Sequence, residues 1–295
     1  MKSLLIKKTI FFSIICFIFI EIIVRIFNLT NDIPQRKIDI NGLQTYVENQ
    51  NGYFNGNQWK VNKYGFIGLS EINYKNQVLI IGDSMIENIM NPIDCNQGSL
   101  LKKMFDNSYG FFEIGRSGLT LIESLEFYKS FNQIINPKII IIYINEGDIT
   151  ESISNIKRFT DRLQINIQTR KLENVQIKYP TLKKILYNLK SIYFLYNRGF
   201  FNINSKNIVS NKQVKFNDNN LTIKKFFEII NIKYDLQNVT FVLDKSNKYI
   251  DLINTKKVIL NNQEKNWFIK DDLHWNCFGH SEVAKKVFKS IIQSD

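Results

Sequence analysis

The sequence predicts an α/β protein with a mainly parallel sheet, carried behind a single N-terminal transmembrane helix. Three observations predict it. A run from Thr9 to Phe27 is almost wholly apolar and follows Lys2, Lys7 and Lys8. Short continuous apolar segments, VLII within Gln77 to Ile81 and KIIIIYI over Lys138 to Ile144, have the length of strands covered on both faces. Segments whose apolar residues recur every three or four positions stand between and after them, and strands that alternate with helices pair in parallel.

The N-terminal run is long enough to cross a bilayer, which takes about 20 residues. Its only charges, Glu21 and Arg25, lie in the distal third at i,i+4 spacing, where they can pair or reach the interface. A signal peptide and a buried core helix are the rival readings. Against the first, bulky Ile, Val, Arg and Phe stand where a small-x-small cleavage site belongs. Lysines ahead of an uncleaved anchor put residues 1–8 in the cytoplasm and the body in the periplasm or outside the cell.

From Asn28 to about Asn76 no period is sustained, so this stretch is expected to be a juxtamembrane connector with little chemistry. Gly65 and Gly68 mark turns within it. The globular domain then runs from 77 to 295. Its first strand, Gln77 to Ile81, leads into Gly82-Asp83-Ser84, and a helix with Leu100, Leu101 and Met104 follows. A second strand, Phe111 to Ile114, ends at Gly115. Leu121, Ile122, Leu125, Tyr128 and Phe131 trace one face of a helix. The third strand, Lys138 to Ile144, ends at Asn145-Glu146-Gly147-Asp148. Residues 149–220 are weakly patterned and expected to be an insertion or cap, with Thr181 to Phe201 helical. A helix at Thr222 to Ile232, strands at Val239 to Leu243 and Lys257 to Leu260, and a C-terminal helix complete the pattern.

The 39 Lys and Arg against 27 Asp and Glu give a net charge of +12, but the basic residues are spread along the whole length. No nucleic-acid-binding signature accompanies them, so no nucleic-acid partner is expected. Cys16, Cys95 and Cys277 lack the short paired spacing of zinc or redox motifs; a Cys95–Cys277 disulfide is conceivable in an oxidising compartment. Only two histidines exist, which excludes a His-rich metal site, and no cofactor is implied. A general base active near neutrality must be His274 or His280.

In doubly wound sheets ligands collect at the carboxyl ends of strands. Ser84 lies there, just after a glycine and at the start of a helix, where a nucleophile belongs. A serine needs a base. His274 is favoured, because Asp271 three residues earlier can hold one imidazole nitrogen while the other faces the serine. His280, behind Gly279 and inside the last helix, is expected to cap or pack.

The blocks IIGDS, IGRSG, INEGD and DDLHWNCFGH, in this order from about Gly65 onward, resemble those of the GDSL-type or SGNH hydrolases. The resemblance implies a three-layer α/β/α sandwich with a flavodoxin-like sheet and an esterase triad of Ser84, His274 and Asp271. It places the backbone N–H groups of Ser84 and Gly115 in the oxyanion hole. The anchor, VNKYGFIG and IIGDS together are also similar to envelope members that act on acyl or acetyl groups of glycans. An acylated carbohydrate or small ester is therefore the expected substrate, with hydrolysis, acyl transfer and a non-catalytic glycan-binding role as the alternatives.

One position departs from the family. Its third block ends Asn-Asp, the Asn amide donating to the oxyanion, whereas Gly147 precedes Asp148 here. Asn145, two residues earlier and on the same side of an extended strand, is the candidate substitute. Otherwise the hole works with two backbone donors.

Overall fold

The computed structural model describes residues 2–200, 219–261 and 263–292. Helix α1 (Lys2–Ile26) is long and apolar enough over Leu4–Ile26 to cross a membrane. Almost none of that stretch is buried inside the protein, which sets aside the core-helix reading. Arg25 donates to Glu21 at 2.8 Å, as their spacing implied.

The residues expected to be a bare connector form two antiparallel hairpins, β1 (Arg36–Ile38) with β2 (Gln44–Tyr46) and β3 (Asn51–Phe54) with β4 (Asn57–Lys60). Tyr46, Trp59, Val61 and Phe66 are buried, and isolated bridges run from Ile67 to Gly115 and from Ser70 to Phe112. The segment thus closes the open edge of the central sheet. Strands of three or four mixed residues offer no alternation long enough to recognise in the sequence.

The remaining elements in chain order are β5 (Gln77–Gly82), α2 (Ser84–Glu87), α3 (Gln97–Met104), β6 (Gly110–Gly115), α4 (Leu121–Ile135), β7 (Ile139–Tyr143), α5 (Glu146–Glu151), the hairpin β8 (Gln164–Asn166) with β9 (Lys171–Glu173), α6 (Pro180–Asn188), α7 (Lys190–Asn197), α8 (Asn219–Lys233), β10 (Val239–Asp244), β11 (Lys256–Leu260) and α9 (Cys277–Ile292). The expected helix from Thr181 is thus two helices, broken at Leu189; Phe201 and the residues to 218 lie outside the described residues.

The central sheet has the order β11-β10-β7-β5-β6, with every pairing parallel. Side chains alternate between its faces, as the pleat requires. Leu79, Ile81, Phe112 and Ile142 enter one core with Leu125 and Phe127 of α4 and Phe226 of α8. Val78, Ile80, Phe111 and Ile141 enter the other with Leu101 of α3 and Val283 and Val287 of α9. The result is the three-layer α/β/α sandwich. Strand order reverses between β5 and β7, so the crevice of a doubly wound sheet opens at their carboxyl ends.

Candidate active site

Ser84 and Asn145 flank that crevice, one following β5 and the other β7. Gly82 makes the turn after β5 possible: a Cβ there would stand 2.5 Å from Ile86 Cγ1. Asp83 then caps α2, its Oδ1 accepting the Met85 N–H at 2.9 Å, and Ser84 opens the helix. Gly115 serves the same packing from β6, since a Cβ at that position would lie 2.4 Å from the Glu87 nitrogen. The two glycines let α2 rest directly on the strand ends.

His274 comes from the loop before α9. Its Nε2 is 2.8 Å from Ser84 Oγ, and its Nδ1 is 2.5 Å from Asp272 Oδ1. This corrects the expected spacing: the carboxylate on the imidazole belongs to Asp272, not Asp271. The cause lies in the loop backbone. Asp271 is exposed with φ 60°, a left-handed conformation that removes the simple i,i+3 turn. Asp272 Oδ1 accepts the His274 backbone N–H at 3.1 Å, an Asx turn that brings the carboxylate to the ring two residues on. The hydrogen bond from His274 holds the Asp272 pKa below the ordinary carboxylate value. On the far side Asn91 donates to Trp275 O at 2.9 Å, and the Cys95–Cys277 disulfide ties the start of α9 to the segment before α3.

Asn145 is clamped. It forms a capping box at the start of α5, its Oδ1 accepting the Asp148 N–H at 3.0 Å and its own N–H donating to Asp148 Oδ2 at 2.9 Å. Its Nδ2 donates to Asp83 Oδ2 at 2.9 Å, beside Ser84. A side-chain amide has two such hydrogens, so one remains to donate elsewhere. Gly147 makes the room: a Cβ at 147 would sit 2.8 Å from Asn145 Oδ1. Burial raises the pKa of Asp83 and raises that of Asp148 well above the ordinary range, and the charge of Asp83 raises Asp148 further. Two neighbouring carboxylates in one desolvated place resist ionising together.

Beneath α2 lies a polar cluster that the sequence reading missed. Buried Glu87 accepts hydrogen bonds from the hydroxyls of Tyr46 and Ser117. Arg116 and Glu123, both fully buried, pair at 2.5 Å, and Gln44 Oε1 accepts from Arg116 at 2.7 Å and from Arg36 at 2.9 Å. Arg36, Gln44 and Tyr46 come from the hairpin before the domain, where nothing local in the sequence marks them. His280 packs, as expected: it is buried against Trp275, its Nδ1 accepts from the Gln97 side-chain amide at 3.1 Å, and burial lowers its pKa to about 3.

No protein-family model matches the chain, and no curated protein matches it. Solved structures of esterases and lipases do. The psychrotrophic esterase EstA from Pseudoalteromonas sp. is 12% identical with a TM-score of 0.37, over 74% of this chain and 98% of that one. The lipase/acylhydrolase from Enterococcus faecalis is 11% identical with a TM-score of 0.40, over 74% and 96%. The family 3 carbohydrate esterase from Clostridium thermocellum is 13% identical with a TM-score of 0.38, over 74% and 96%. These esterases and lipases are what the chain is similar to in structure, over about three quarters of its length.

Proposed function

We propose that this chain is a membrane-anchored serine esterase that removes acyl groups, acetyl above all, from a carbohydrate of the cell envelope. One observation carries the reading: Ser84, His274 and Asp272 form a continuous relay, with contacts of 2.8 and 2.5 Å, at the carboxyl end of β5. Ser84 Oγ attacks the ester carbonyl while His274 Nε2 takes its proton. Asp272 keeps the imidazole in the tautomer that presents Nε2 and stabilises the imidazolium. The backbone N–H groups of Ser84 and Gly115 and the free Nδ2 hydrogen of Asn145 receive the oxyanion. Collapse of the tetrahedral intermediate passes the His274 proton to the leaving alcohol. Water, deprotonated by His274, then releases the acid and frees Ser84.

The glycan substrate rests on the likeness of the anchor, VNKYGFIG and IIGDS layout to envelope enzymes. The Cys95–Cys277 disulfide supports a body outside the cytoplasm, since such bonds persist in oxidising compartments. Contacts from Glu21 and Arg25 to α6 and α7 support an uncleaved anchor, because cleavage would strip that face.

The test is reaction of the full-length protein, in detergent, with a fluorophosphonate probe, followed by peptide mapping and assay of an aryl acetate and an acetylated oligosaccharide. Labelling at Ser84 with release of acetate supports the reading. Labelling without acetate release, but with acetyl appearing on an added glycan, makes the chain a transferase instead. An unlabelled Ser84 in folded protein overturns both.

A further inference from the structure

Helices α6 and α7 carry an apolar surface that no part of the described protein covers. Tyr179, just before α6, and Leu182 and Ile185 on it are 68%, 62% and 50% exposed; Phe200, just past α7, is 73% exposed. Their i,i+3 spacing puts Leu182 and Ile185 on one face of the helix, with Lys183 and Lys184 turned away from it, and Tyr179 caps its N-terminus with φ 51°.

The position of this surface is set by the anchor. Glu21 of α1 accepts the backbone N–H groups of Lys190 at 3.0 Å and Ser191 at 2.8 Å, the first turn of α7. Arg25 Nη2 donates to the carbonyl of Asn188, the last residue of α6, at 2.5 Å. Val24 is buried at this junction, and Lys190 pairs with Asp32. The α6–α7 corner is thus bolted to α1 where its apolar run ends. From Gln176 to Phe200 the basic residues are Lys178, Lys183, Lys184, Lys190 and Arg198, and there is no Asp or Glu.

We infer that α6 and α7 lie flat in the outer membrane–water interface, with Tyr179, Leu182, Ile185 and Phe200 in the headgroup and acyl boundary and the lysines toward anionic lipid headgroups. An amphipathic helix of this charge and face binds such a boundary, and tyrosines are favoured at that level. The inference rests on the anchor reading given above. Its consequence is that the catalytic domain is held against the bilayer in one orientation rather than swinging on a tether.

The test uses the full chain in vesicles of phosphatidylcholine and phosphatidylglycerol. In a Cys16→Ser background, Ile185→Cys, Phe200→Cys and Lys184→Cys variants carry an environment-sensitive fluorophore. The labels at 185 and 200 are expected to be quenched by doxyl lipids and several-fold less by aqueous iodide than the label at 184. Equal iodide quenching at all three positions overturns the inference while leaving the anchor intact. Shielding of 185 and 200 from both quenchers means that protein covers the face, and also overturns it. Failure of the chain to float with the vesicles overturns the anchor reading and this inference together. Fluorophosphonate labelling of Ser84 in the same vesicles reports the fold and the esterase reading separately.

Discussion

His274 Nε2 lies 2.8 Å from Ser84 Oγ although 190 positions separate the two residues in the chain. In the proposed mechanism the imidazole and this strand-end hydroxyl act as a unit. Ser84→Ala and His274→Ala are each expected to lower kcat on an aryl acetate by roughly 10⁴-fold or more, with the double variant little worse than either. Additive losses in the double variant, in steady-state kinetics, would separate the two residues.

The carboxylate assignment gives a sharper contrast between neighbours. Asp272→Asn is expected to lower kcat by about 10²–10⁴, because the amide can hold the wrong imidazole tautomer. Asp271→Asn, at an exposed left-handed position, is expected to leave kcat within about twofold of the parent. The reverse ranking would return the role to Asp271.

Asn145 and Gly147 form one device. Asn145→Ala is expected to lower kcat by about 10² with little change in KM, the mark of a donor that acts in the transition state. Gly147→Asn supplies the residue that the GDSL-type resemblance implies, yet its Cβ would press on Asn145 Oδ1 from 2.8 Å. Gly147→Ala is therefore expected to lower kcat as well, and a Gly147→Ala enzyme with parental kinetics would remove Asn145 from the oxyanion site.

Glu113 is fully buried on β6, where the backbone N–H groups of Leu69 and Gly98 each donate to it at 2.8 Å. Burial outweighs those bonds and pushes its carboxyl up to about 7, against an ordinary 4.5. The folded value lies above the unfolded one. The contribution to stability is therefore complete below the unfolded value and is lost as pH rises through the folded one. Unfolding free energy is expected to fall between about pH 5 and pH 8, by at most about 3 kcal/mol from this group. Asp83 and Asp148, also raised, act in the same sense. Urea titrations at several pH values should give a shallower decline in Glu113→Gln, and an unchanged slope would discard Glu113 as a source.

The Cys95–Cys277 bond closes a loop between residues 182 positions apart. Constraining so long an unfolded loop stabilises the native state by at most about 5 kcal/mol. The Cys95→Ser, Cys277→Ser double variant is expected to melt at lower temperature and to label more slowly at Ser84, because Cys277 follows His274 by three residues. Thermal denaturation and probe kinetics measure the two effects, and unchanged kinetics would confine the bond to a structural role.

The sequence alone determined the anchor-like helix, the five sheet strands, most of the helices that cover them, and the places of Ser84 and His274. These follow from local properties: the length of an apolar run, the period of an amphipathic one, and a glycine turn at a strand end. Tertiary structure decided the rest. Whether Asp271 or Asp272 meets the imidazole depends on one left-handed φ and an Asx turn, which spacing does not record. Tyr46 reaches Glu87, and Gln44 reaches Arg116, only because the hairpin before the domain folds onto the open sheet edge. The role of Gly147 becomes visible only once Asn145 is seen filling the space its missing side chain leaves. Periodicity states which face of an element avoids water, but not which distant segment covers it, because that choice is made by the packing of the whole chain.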